Sequence, residues 1–307
     1  MRIVFFGTPD FAVASLQALV NSRFTVAGVV TQPDRPQGRS RSELVPPPVK
    51  VAAQSEGIPV LQPIRPVGDV FTTSLRRLEP DLGVVVAYGH ILRPEILSIP
   101  PRGMINVHAS LLPRYRGAAP VQHAILRGET ETGISIMQME AGLDSGPVLH
   151  RTTTDIGSEE TAGELAGRLE DLGATALVEA LSLISGGLAR GQPQDDSRAT
   201  YAPKIDRDMA RVVWQRDATT LVRQVRAFDP APGAWTSLNG CMLKLFGARE
   251  VPGTGEPGSV LAAGDRLVVA AGRGAVAVNE VQPAGKTRLP VEAWVRGRGV
   301  STGQRLE

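Results

Sequence analysis

The chain has 307 residues, of which 42% are hydrophobic and 21% charged, with a net charge of +2. That composition excludes a disordered chain, and the length suits two domains better than one. A single cysteine, Cys241, excludes a disulfide framework and a thiolate zinc site, and no apolar run nears the ~20 residues of a membrane span, so a cytoplasmic protein without membrane contact is expected.

In chain order, "RIVFF" (2–6) reads as a short buried strand and "DFAVASLQALVNS" (10–22) as a helix with apolar residues at helical spacing. The junction "FFGTPDFA" (5–12) holds one glycine, Gly7, and Pro9 lacks an amide donor. A phosphate cradle needs several glycines and free N–H groups, so NAD is not expected; Thr8 reads as a helix N-cap with Pro9 at the first helical position. "FTVAGVVT" (24–31) is a strand, and "QPDRPQGRSRSELVPPPVK" (32–50) a long connection made cationic by Arg35, Arg39 and Arg41. A proline-started helix over 46–57, a short strand "PVLQP", a helix "DVFTTSLRRLEP" and apolar strands over 81–89 and 103–110 follow. This alternation predicts an α/β fold with a mainly parallel sheet and helices on both faces.

"TGISIMQME" (132–140) and "GPVLHRTTTDI" (146–156) read as an antiparallel pair joined by a turn with Gly142, Asp144 and Gly146, and 161–185 as a long amphipathic helix. The first domain is expected over 1–189, a Gly/Pro/Asp/Ser-rich linker over 190–206, and a second domain over 207–307. The second domain has one helix (217–229) and then short β-rich segments, the pattern of a small β-barrel or sandwich. From Lys204 onward the chain carries 15 basic and 10 acidic residues, a surplus that suits an anionic partner.

Asn106 and His108 lie two apart near the end of the 103–110 strand, so both side chains project to the same face. In open α/β sheets the ligand crevice lies outside such strand ends. Asp144 offers a third polar group in a turn that its glycines open to close approach. His90, His108, His123 and His150 have no metal-ligand spacing, so no metal is expected, and the turns "GTPDF" and "AYGH" show no nucleophile elbow. An amide, an imidazole and a carboxylate without metal or nucleophile suit direct transfer of an acyl group to an amine. The amide and imidazole donate to the developing oxyanion, and the carboxylate orients the imidazole or holds a proton-relaying water.

"INVHASLLPRYRGAAPVQHAI", with "GLDSGPV" around Asp144, resembles the signature of the 10-formyltetrahydrofolate-dependent formyltransferases. The resemblance implies that Asn106, His108 and Asp144 are the catalytic trio and that Ser110, Leu111, Leu112 and Pro113 lie against the folate. It also implies a Rossmann-like first domain with a mainly parallel sheet, in which "AYGHILRPEIL", with Ile91 and Leu92, cradles the pteridine. "MRIVFFGTPDFA", "VVTQPDRPQGR", "ATYAPKID" and "QVRAFDPAPGAWTSLNGCMLKLF" are similar to family members whose acceptor is initiator methionyl-tRNA. They imply an OB-like, tRNA-binding C-terminal domain, a monomer, and tRNA contacts from Arg35, Arg39, Arg41 and Lys204.

Overall fold

The first strand explains the centre of the fold. Five of the six residues of Arg2–Gly7 are buried, and a strand apolar on both faces belongs inside a parallel sheet covered by helices. In a computed structural model, which describes residues 1–37 and 43–307, this strand (β1) is followed by α1 (Val13–Val20), β2 (Thr25–Val30), β3 (Arg35–Gln37), β4 (Glu43–Val45) and α2 (Pro48–Ser55). Then come β5 (Val60–Leu61), α3 (Asp69–Arg76), β6 (Leu82–Val86), α4 (Pro94–Leu97), β7 (Met104–His108), α5 (Pro120–Arg127), β8 (Glu131–Gln138), β9 (Val148–Asp155) and α6 (Ala162–Ser185). The chain divides into two units: Met1–Gly117, Thr132–Thr154 and Ala166–Tyr201 form one, and Ala118–Glu131, Asp155–Leu165 and Ala202–Glu307 the other. The segment read as a linker thus lies in the first unit up to Tyr201.

The sheet of the first unit runs β5-β2-β1-β6-β7-β8-β9. The strands from β5 to β7 pair in parallel, and β8 turns against β7. Gln138 of β8 donates its N–H to Pro147, and a side chain on Gly133 would strike Thr152, so β9 runs opposite to β8 as the glycine-rich turn predicts. The strand order reverses between β1 and β6, which makes their carboxyl ends a topological switch point and the natural place for a crevice.

One local reading is corrected. Thr8 does not cap a helix: its hydroxyl donates to the Tyr88 carbonyl, Pro9 takes the cap position, and residues 10–12 form a tight 3-10 turn before α1. The long 32–50 connection contains a short hairpin, in which β3 and β4 pair antiparallel through Arg35 with Val45 and Gln37 with Glu43. Arg39 and Arg41 lie outside the described residues.

The second unit continues with α7 (Ala218–Ala227), β10 (Ala234–Leu238), β11 (Cys241–Val251), β12 (Val260–Ala263), β13 (Leu267–Ala270), β14 (Ala275–Pro283), β15 (Leu289–Pro290) and α8 (Val291–Arg296). Asp217 caps α7 by accepting the Thr220 N–H at 2.7 Å, and this bond holds the carboxyl below its ordinary pKa. The sheet order is β10-β11-β14-β13-β12, with β15 on β14. Its two edges, β10 and β12, are joined by the last residues of the chain. Glu307 exchanges N–H and C=O bonds with Ser237 of β10, while Leu306 bonds Gly258 and Gln304 accepts from Val260. Trp214 donates to the buried Thr236 hydroxyl, which donates to the Glu307 carbonyl at 2.8 Å. The terminus therefore acts as the seam of a barrel-like antiparallel domain.

Leu306 is 1% exposed within that seam. Leu306→Ala is expected to destabilise the second unit by about 2–4 kcal/mol. Urea unfolding followed by the fluorescence of Trp214 and Trp235 would show a midpoint shift, and an unchanged midpoint would refute the seam.

Candidate active site

Asn106 and His108 lie within the last three residues of β7, where Asn106 faces Val85 of β6 and Met137 of β8, and His108 faces Ser135. The loop after His108 is folded back over the strand tip by short hydrogen bonds. The buried Ser135 hydroxyl donates to the Ser110 carbonyl at 2.7 Å and accepts the Leu112 N–H at 3.1 Å, and the Ser110 hydroxyl donates to the Arg114 carbonyl at 2.6 Å. At its end Tyr115 and Gly117 adopt positive φ, 62° and 123°. At Gly117 only glycine fits without strain.

This turn sets the chemistry of His108, which is 5% exposed. Its Nε2 lies 2.9 Å from the Tyr115 carbonyl oxygen. A carbonyl can only accept, so Nε2 carries a hydrogen in either charge state and Nδ1 is the nitrogen free to exchange a proton. Nδ1 stands 3.7 Å from Asp144 Oδ2, too far for a direct hydrogen bond but within reach of charge attraction. Asp144 Oδ2 accepts the Gly117 N–H at 2.8 Å. Asp144 has φ 49°, a left-handed turn position that aspartate tolerates better than most side chains. Asn106 is half-buried, and among the described residues its amide has no hydrogen-bond partner. The arrangement offers an uncommitted amide donor, one proton-exchanging nitrogen and a carboxylate beside it.

The other residues expected at the site fall into different places. Ser110 is fully buried and organises its own loop. Leu112 and Leu92 belong to apolar core clusters and can shape a binding surface only from behind. Leu111 and Pro113 are half-buried, and Ile91 is 84% exposed. Ile91 and Leu111–Pro113 follow β6 and β7, which are parallel neighbours, so these apolar groups share one end of the sheet with His108. Apolar surface beside a few polar groups suits a flat pterin, and the residues present fit a folate.

Arg35 is exposed, with its guanidinium donating to the Gln32 side chain, and Lys204 is exposed in the second unit. The second unit also fixes two exposed cations that sequence reasoning passed over: Arg207 and Arg211 lie 5.4 and 5.6 Å from the Trp235 ring centre. Tyr115 and Thr200 were also missed. The Thr200 hydroxyl accepts the Tyr115 N–H at 2.9 Å, a contact between residues 85 apart that no local motif announces. His123 in the same signature is structural. Its ring nitrogen donates to the Pro203 carbonyl at 3.0 Å, and burial lowers its pKa, which favours the neutral ring.

Comparison with known proteins follows the same division. Residues 1–181 match the family model described as formyl transferase, and residues 204–299 that described as formyl transferase, C-terminal domain. A curated methionyl-tRNA formyltransferase from Geotalea daltonii is 46% identical over 307 residues, covering all of this chain and 98% of its own. One from Methylococcus capsulatus is 47% identical over 308 residues, covering all of this chain and 99% of its own. Among solved structures, WlaRD, a sugar 3N-formyl transferase crystallised in the presence of dTDP and 5-N-formyl-THF, shares the fold at a TM-score of 0.69 and 18% identity, over 94% of this chain and 99% of that one.

The root of the β3–β4 hairpin is held by Asp34, which accepts from Gln62 at 2.7 Å and pairs with Lys50 at 2.7 Å. The Gln62 hydrogen bond first, and Lys50 second, hold its carboxyl below the ordinary value of 3.8. A depressed folded pKa contributes stability that is present above the unfolded value and lost as pH falls through the folded one. Asp34→Asn is therefore expected to make stability fall less steeply below about pH 4. Thermal midpoints measured from about pH 5 to pH 2 would test this, with parallel curves counting against it.

Proposed function

The chain belongs to the formyl transferase family, and on that premise we propose that it moves the formyl group of 10-formyltetrahydrofolate to the free α-amine of initiator methionyl-tRNA. The product is N-formylmethionyl-tRNA for translation initiation. The observation that carries this reading is the Asn106–His108–Asp144 arrangement at the tip of β7 in a chain alike, over its full length, to methionyl-tRNA formyltransferases.

10-Formyltetrahydrofolate supplies the formyl carbon and a leaving nitrogen. Asn106 donates its uncommitted amide hydrogen to the formyl oxygen as negative charge develops there. His108 Nδ1 takes the proton released by the attacking amine and returns it to the leaving nitrogen, while Nε2–H stays bound to Tyr115. Asp144 stabilises the imidazolium that forms between the two transfers. Ile91, Leu111 and Pro113 offer the folate its apolar surface. In this division of labour the first unit, which holds Asn106, His108 and Asp144 and runs on to Tyr201, carries the chemistry, and the second unit, with residues 207–307, binds the tRNA. We take the enzyme to act in the cytoplasm, where a translation substrate is used, and as a monomer.

The direct test offers labelled formyl donor together with charged initiator tRNA, free methionine or a nucleotide-linked amino sugar. Transfer to the charged tRNA alone is expected, and no transfer to it refutes the proposal. Asp144→Asn keeps the shape and the acceptor for Gly117 but removes the charge beside Nδ1. It should lower kcat on the order of 10²–10³-fold, the size of a missing electrostatic stabilisation of developing charge. A folded variant at full rate would remove Asp144 from the mechanism.

Binding of phosphates by the 32–50 connection should appear in the salt dependence. Arg39→Ala combined with Arg41→Ala is expected to reduce the slope of log affinity against log salt by about 1 for each phosphate that the variant no longer neutralises. Filter binding of charged tRNA between about 50 and 200 mM salt measures that slope, and an unaltered slope excludes both arginines.

A further inference from the structure

Three consecutive residues, Tyr115 to Gly117, hold two members of the trio, His108 and Asp144. Tyr115 takes the His108 hydrogen, and Gly117 donates to the Asp144 carboxylate. Arg116, between them, is 4% exposed and works through a residue 78 positions away. Its Nε and Nη2 donate to Gln194 Oε1 at 3.0 and 2.9 Å, and Nη2 also donates to Asp196 Oδ1 at 2.8 Å. The Gln194 side-chain NH2 then donates to the carbonyls of Asp144 and Gly146, both at 2.8 Å. One amide group has its oxygen and both its hydrogens committed, and it bridges a buried cation to the turn that bears the catalytic carboxylate.

The turn needs such a hold. Asp144 sits at φ 49°, and β8 ends at Gln138 level with Ile105, three residues before His108 along the strand. The connection must bring Asp144 back about 10 Å toward the strand tip. The segment that carries Gln194 is itself anchored to the catalytic loop: Arg116 N–H donates to the Thr200 carbonyl at 2.9 Å, and Thr200 N–H to the Pro113 carbonyl at 3.3 Å.

We propose that Gln194 is a positioning residue for formyl transfer, fixing the Asp144 turn from the Arg116 side so that the carboxylate stands beside His108 Nδ1. The proposal rests on the reading of Asn106, His108 and Asp144 as the catalytic set. Gln194→Glu separates positioning from simple cohesion. A glutamate keeps an oxygen for Arg116, with added charge, but presents a second acceptor to two carbonyls that need donors. Cohesion alone predicts that it is tolerated; positioning predicts that the turn is pushed away.

The experiment compares the full-length wild type, Gln194→Ala and Gln194→Glu. It measures kcat with methionyl-tRNA, KM for the formyl donor, the thermal midpoint, and the 15N resonance of His108 Nδ1, assigned by its loss in His108→Gln. Both variants are expected to lose kcat on the order of 10–100-fold with KM for the donor changed by less than about threefold. The Nδ1 resonance should move as the carboxylate leaves, and Gln194→Glu should melt no lower than Gln194→Ala. If Gln194→Ala fails to fold, Gln194→Glu alone decides. Wild-type kcat in Gln194→Glu, or losses that track the melting temperature with an unmoved resonance, would overturn the proposal. The resonance is read without acceptor. A wild type that does not formylate methionyl-tRNA while the resonance still moves therefore refutes the proposed acceptor and not the positioning.

Discussion

The Tyr115 carbonyl can accept a hydrogen but never give one, and much of the site follows from that asymmetry. It pins a proton on His108 Nε2, so the imidazole can act as acid or base only through Nδ1. To aim this carbonyl back at the histidine seven residues earlier, Tyr115 takes φ 62°, and a non-glycine residue in that region needs its neighbours to hold it there. They do so by backbone-directed bonds. Thr200 takes the Tyr115 N–H, Ser135 grips both Ser110 and Leu112, and Ser110 takes up Arg114. The polar side chains of this loop are largely spent on shaping the loop, which leaves Asn106, His108 Nδ1 and Asp144 as the groups that can face a substrate.

The sheet explains why this happens at β7 and not at the switch point between β1 and β6, where doubly wound folds commonly bind phosphates. There the Thr8 hydroxyl and the Gln32 amide both donate to the Tyr88 carbonyl, at 3.0 and 2.9 Å, and Pro9 has no N–H to offer. The loops that would cradle a pyrophosphate are stitched to each other. The working edge moves one strand outward, to where the parallel sheet meets its antiparallel extension and β7 has β6 on one side and β8 on the other. At that border the return connection of β8 can deliver a side chain that no helix crossover would bring. The second unit solves a separate problem. An open antiparallel sheet exposes two edges, and the chain's last four residues bond to both.

What could be read from the sequence was whatever repeats locally. The buried apolar runs of β1 and β6 and the βα alternation specify the parallel sheet, and a period of two places Asn106 and His108 together at a strand tip. Glycines 142 and 146 mark the turn of Asp144. Neighbours in sequence were harder to separate: Ile91 and Leu92 look alike on paper, yet one is exposed and the other packs in the core. Thr8 has the chemistry of a helix cap, but the carbonyl of Tyr88, 80 residues away, outcompetes the local N–H groups for its hydroxyl. Gln194 sits among Gly, Pro, Asp and Ser, a composition that says loop. Composition carries no information about a loop's partners, and Gln194 has its own in two other parts of the chain.

The position of Asp144 shows why those long-range partners matter more than the local turn. A left-handed aspartate costs on the order of 1–3 kcal/mol relative to an unstrained residue. Glycines on either side make the excursion sterically feasible, but they also make it floppy, since each adds freedom that folding must remove. A carboxylate delivered by such a connection would sample many positions, and one misplaced by an ångström loses much of its effect on an imidazole. Rigidity has to come from outside the turn. It comes from two holds: the Gly117 N–H holds the carboxylate itself, and the Gln194 amide holds the backbone that carries it. Both holds trace to the Tyr115–Gly117 segment, so the parts that hold His108 and the parts that hold Asp144 share one anchor. Their relative position then depends on three residues of one loop rather than on two independent ones.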